Sequence, residues 1–137
     1  MTAAVWSYAG LGDDTGKGTD GTTGHAKDVA ATASVTVFNV EPTCRARAAE
    51  RPQQCSLGLA VNPLAPYTID NVVPTRVWHG DVLTAECRTL QGLPVTDEEG
   101  ARTTEWYRVR LPEGAGQTRA WLPAVRTKDR PALSECR

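Results

Sequence analysis

VLTAECRT at Val82–Thr89, EWYRVRL at Glu105–Leu111 and TRAWL at Thr118–Leu122 form the stretch that decides the fold. In the first, Leu83, Ala85 and Cys87 alternate with Thr84, Glu86 and Arg88. In the second, Tyr107, Val109 and Leu111 alternate with Trp106, Arg108 and Arg110. In the third, Ala120 and Leu122 alternate with Arg119 and Trp121. Side chains of a strand point to opposite faces in turn, so period-two alternation marks a half-buried strand. Three in succession predict an antiparallel meander with Leu83, Ala85, Cys87, Tyr107, Val109, Ala120 and Leu122 turned to a core. The loop 91–104 between the first two is acidic, with Asp97, Glu98 and Glu99, and is expected to be exposed. Pro112-Glu113-Gly114-Ala115-Gly116 is the tight turn between the last two.

Outward from this stretch the remaining segments read as follows. Ser34–Val40 is rich in β-branched residues and reads as a first strand, with Pro42 limiting its pairing. Cys44–Ala49 reads as a second extended piece. Residues 50–75 carry Pro52, Pro63, Pro66 and Pro74 and read as a long irregular excursion, a feature often tied to function. Residues 76–81 read as a short strand and a Gly80-Asp81 turn. Pro123-Ala124-Val125 predicts a single 3₁₀ turn.

Residues 1–32 differ in composition, holding six of the twelve glycines. Such a segment buries too little to offset its ordering entropy, so a flexible arm is expected, followed by a β domain over 33–137. Its start, Ala3–Ala9, is apolar but too short to span a bilayer. It reads either as the stub of a longer anchor or signal, the one route to a membrane, or as a frayed terminus.

The 137 residues suit one domain with its own core. Fifteen basic and sixteen acidic residues give a net charge of −1. That balance argues against a nucleic-acid partner, which would select a basic face. Arginine outnumbers lysine twelve to three, the bias of a GC-rich coding sequence.

Four cysteines, Cys44, Cys55, Cys87 and Cys136, include no CxxC pair, which disfavours structural zinc. Disulfides are the better reading, reduced buried thiols the alternative. Of three pairings, Cys44–Cys55 and Cys87–Cys136 are favoured. The first closes a short loop and the second ties the tail to a core strand. Disulfides place the chain outside the cytoplasm, at the cell surface or secreted.

Taken together, the order of elements resembles the bacterial SH3-type (SH3b) domains. The resemblance runs from Ser34 to Arg126 and rests most on Trp106-Tyr107-Arg108-Val109, the family's "WYRV" strand. Ala120-Trp121-Leu122 stands where the family has a "GWV"-like strand, with alanine in place of glycine. The resemblance implies a small SH3-like β-barrel, here with an elongated, disulfide-pinned first loop. It also implies a binding or targeting module for peptidoglycan or peptides.

Catalytic signals are few. His25 lies in the glycine-rich arm and His79 beside a turn. Cys87 near His79 is better explained by a disulfide than by a nucleophile–base pair. Asp97, Glu98 and Glu99 lack the spacing of a calcium loop. No enzyme, metal or cofactor is expected.

Binding candidates are Trp78, Trp106, Trp121, Arg108, Arg119 and Tyr67. Tryptophans beside arginines on one strand face suit a peptide, a sugar or a protein partner. The competing expectation is that one or both of Trp106 and Trp121 lie under the 50–75 segment in a second small core, since tryptophan is usually buried. The function expected is a noncatalytic, monomeric binding module. The alternative is a small secreted effector or inhibitor that contacts a protein through the 44–55 loop.

Overall fold

A computed structural model describes residues 31–112 and 114–137. The expected flexible arm, with Ala3–Ala9 and His25, falls almost wholly outside the described residues, as does Glu113 of the hairpin turn.

The strands are β1 (Ala33–Thr36), β2 (Leu57–Ala60), β3 (Val72–Val77), β4 (Val82–Thr89), β5 (Val95–Thr96), β6 (Arg102–Thr103), β7 (Trp106–Arg110) and β8 (Arg119–Pro123). One short helix, α1, covers Pro42–Ala46. Six strands form one antiparallel sheet in the order β1-β4-β7-β8-β2-β3, and β5 and β6 pair separately. The meander is the centre of this sheet, as its alternation requires. Tyr107, Val109, Ala120, Leu122 and Ala85 are each at most 1 % exposed and join Val35, Leu59 and Val73 in the main core.

The expected barrel needs correction: the sheet is open, with β1 and β3 as its edges. Pro74 lies within β3 and has no N–H to give to a further ladder, which suits an edge strand. Beyond β1 the chain bonds to turns instead. The Val37 amide donates to Asp81 O and the Gly80 amide to Val37 O, both at 2.8 Å, and Phe38 N donates to Arg126 O at 2.7 Å. Gly80 takes φ +91° in that turn, a conformation that glycine adopts without strain.

Three local expectations also change. The first strand is shorter than Ser34–Val40, because the chain leaves β4 after Thr36. Cys44–Ala49 is not extended: residues 42–46 are helical, with Pro42 in the first turn, where its missing N–H costs nothing. The 50–75 excursion contains β2 and the first four residues of β3. All four β2 residues are buried, so Leu57-Gly58-Leu59-Ala60 shows no alternation to read.

Both favoured disulfides are present, with Cα–Cα distances of 5.4 Å for Cys44–Cys55 and 5.0 Å for Cys87–Cys136. The tail lies beside β4, where Arg88 N donates to Ser134 O and Cys136 N to Arg88 O. No helix among the described residues is long and apolar enough to cross a membrane.

Candidate functional site

The outer face of β4, β7 and β8 gathers three arginines around one carboxylate. Register places Arg110 opposite Arg119 and Arg108 opposite Trp121. Like charges directly opposed on neighbouring strands destabilise a sheet. Here β4 supplies the remedy: its register shifts between Ala85 and Cys87, a bulge centred on Glu86. Glu86 accepts from Arg119 Nε at 2.6 Å, Arg110 Nε at 2.7 Å and Arg108 Nε at 3.2 Å. The Arg110 hydrogen bond, against the cost of burial and with help from Arg119 and Arg108, lowers the Glu86 carboxyl from 4.5 to about 2. Glu86 is therefore ionised throughout the neutral range, and three positive charges face one negative.

The arginines spend only their Nε groups on Glu86. Among the described residues, none of their terminal nitrogens donates to another protein atom. The Arg110 and Arg119 side chains are about half exposed, at 56 % and 52 %, whereas Glu86 is 11 % exposed. The carboxylate thus holds the guanidiniums in place from below and leaves their terminal nitrogens toward solvent. Trp121, opposite Arg108 in the register, is half-buried and packs partly against the buried cluster of Ala60, Val95, Trp106 and Val125 at the edge of the group.

The six candidate residues separate in the structure. Arg108, Arg119 and Trp121 stay together. Trp106 is corrected: it lies opposite the main core, as its alternation requires, but is 0 % exposed. It forms a second core with Ala60, Val95 and Val125, and its indole N–H donates to Leu93 O at 3.1 Å. Tyr67 packs edge-on against it at 5.5 Å between ring centroids. The loops at 60–67 and 91–95 cover this side, and Trp106 is closed to a ligand.

Trp78 is also apart from the arginine face. Its indole N–H donates to Pro52 O at 2.8 Å, and the Arg51 guanidinium lies 4.2 Å from its ring centroid. Arg51 in turn forks onto Asp81 at 2.7 and 3.0 Å. This fastens the disulfide-closed 44–55 segment to the end of β3.

The acidic loop is less solvated than its composition suggests. Asp97 is 9 % exposed and accepts the amides of Glu99 and Ala101, both at 2.9 Å. Glu98 reaches Arg126, which donates through Nη1 at 2.8 Å and Nη2 at 3.3 Å. His79 Nδ1 accepts the Asn39 amide at 3.1 Å, so the ring holds backbone in place. Burial, aided by Arg45, lowers its pKa and favours that neutral form.

Arg110 stands in the outward set of the alternation with Arg108 and Arg119 but is not among the binding candidates drawn from the sequence. Glu86 is outward too, and cross-strand neighbour rules would have joined it to the arginines. No protein-family model, curated protein or solved structure matches this chain.

Proposed function

We propose that this chain is a noncatalytic extracytoplasmic binding module, and that Arg108, Arg110, Arg119 and Trp121 meet its ligand. One observation carries the reading. Three guanidiniums share one carboxylate and, among the described residues, their terminal nitrogens have no protein acceptor, a face suited to receive further acceptors. Guanidiniums with open terminal nitrogens suit carboxylates and phosphates through paired hydrogen bonds. The ligand class is peptidoglycan, whose peptide stems carry free carboxylates. The SH3b-like order of elements and motifs in the sequence supports a cell-wall target, and the two disulfides are compatible with a place outside the cytoplasm.

The test is co-sedimentation with purified peptidoglycan. The wild-type chain is retained, and added salt weakens retention because the contacts are exposed charges. The double variant Arg108→Ala/Arg119→Ala weakens binding on the order of tenfold, since charge-assisted hydrogen bonds are lost at two points. Circular dichroism confirms that the variant is folded. Unchanged retention in the double variant would remove the proposed face.

A further inference from the structure

A second cluster lies apart from the arginine face. β2, β3, the 39–44, 54–56 and 67–69 segments and the turn after β8 line an open cleft of about 340 Å³. That volume is in the range of small-ligand sites. Arg76, Arg126, Tyr67 and Glu98 provide its charged and polar wall, and Val72 and Ile69 an apolar side. Glu41 also borders it but is exposed to solvent.

The two arginines differ from surface arginines. Arg126 is 8 % exposed and sits in a 3₁₀ turn, Ala124–Arg126, whose three residues are all buried. Its Nε finds no partner among the described residues. Its two terminal nitrogens fork onto Glu98, whose side chain is 50 % exposed and belongs to the turn joining β5 and β6. Arg76 is half-buried and donates only to Ser56, to Oγ at 3.0 Å and to the carbonyl at 3.3 Å. No carboxylate pairs with it among the described residues. A desolvated cation without a counter-ion is costly, and such charges are ordinarily paired.

We propose that this cleft binds a carboxylate group through Arg76 and Arg126, and that Glu98 occupies the position as an internal substitute which an incoming carboxylate displaces. The forked contact between Arg126 and Glu98 is the geometry by which a guanidinium recognises a carboxylate. Arg126 is the fixed partner, enclosed by its turn. Glu98 is the exchangeable one, half in solvent at a turn. Once Glu98 leaves, two guanidiniums face the cleft with one hydroxyl-bearing ring between core and ligand. Val72 and Ile69 then accommodate an apolar group next to the bound carboxylate, the chemistry of a peptide C-terminus or a small carboxylic acid.

The experiment is an NMR titration of the full ¹⁵N-labelled chain that follows the arginine Nε–H signals. The probes are N-acetyl-alanyl-alanine as its free acid, the same dipeptide as its C-terminal amide, and acetate. The free acid is expected to shift the Arg126 and Arg76 signals saturably, and the amide to leave them in place. Glu98→Gln removes the internal competitor and tightens the acid about three- to fivefold, the fraction an ion pair of this exposure holds back. Arg76→Gln weakens it on the order of tenfold.

Saturation by acetate at similar concentrations assigns the site to small carboxylates, and a response to the dipeptide acid alone assigns it to peptide termini. Either supports the site. No shift with either acid in both wild type and Glu98→Gln overturns it, as does an equal response to the amide. Arg108→Ala/Arg119→Ala leaves this titration unchanged, so the cleft and the outer face are tested separately.

Discussion

Replacing Glu86 with glutamine keeps the shape of the side chain and removes the one carboxylate that pairs with the three arginines among the described residues. Arg110 and Arg119 then oppose each other across β7 and β8 without a counter-ion. The magnitude can be reached from two directions. An exposed ion pair contributes about 0.2–1 kcal/mol, so three sharing one carboxylate suggest about 1–3 kcal/mol. The fall of the Glu86 carboxyl from 4.5 to about 2, at about 1.4 kcal/mol per pH unit, sets an upper bound of about 3.5 kcal/mol. Solvent at the half-exposed arginines reduces that figure. Glu86→Gln is therefore expected to cost about 2 kcal/mol, roughly 8 °C in Tm for a domain of this size.

The pH dependence has a fixed sign. A depressed carboxyl pKa stabilises the fold above the ordinary value of 4.5, and the contribution is lost as pH falls through about 2. Urea melts of wild type and Glu86→Gln should differ fully at pH 7 and converge near pH 2. A difference below about 0.5 kcal/mol at pH 7, or one that does not change with pH, would refute the account of the cluster.

Further outcomes concern the parts that hold the site. Trp106→Ala removes a fully buried indole and is expected to cost about 3–5 kcal/mol by thermal melt, while binding per folded molecule stays unchanged. Gly92→Ala acts on the same core, because its Cβ would run into the Trp106 indole, and a cost of about 1–3 kcal/mol is expected. Intact mass should rise by four hydrogens on full reduction, one for each cysteine of the two disulfides. Cys87→Ser/Cys136→Ser should cost about 4 kcal/mol and Cys44→Ser/Cys55→Ser about 3 kcal/mol, since the first pair closes the longer loop. Equal losses would count against that ordering.

The central sheet was legible because β4, β7 and β8 each have one buried and one outer face. Their alternation carried strand position, neighbours and facing direction. β2 escaped because all four of its residues are buried, and β3 because Pro74 argued for a loop rather than an edge. Closure into a barrel is a long-range property of β1 and β3 that no local pattern encodes. For the site, Arg108 and Arg119 were readable as outward residues. Alternation placed Trp106 opposite the main core but could not show that the 60–67 and 91–95 loops cover it. The general tendency of tryptophan to be buried was the better guide there. Arg126 and Arg76 gave no local signal, since their environment is made by segments distant in sequence.

The Glu86-anchored arginines are proposed to receive an acidic ligand, and Glu86→Gln separates that role from stability. The deciding measurement is the affinity of folded Glu86→Gln for peptidoglycan at pH 7, set beside its melting temperature. With the internal carboxylate gone, the terminal nitrogens that already face solvent meet the ligand with one more net positive charge, and on the order of threefold tighter binding is expected despite a less stable fold. Weaker or unchanged binding in Glu86→Gln would contradict it.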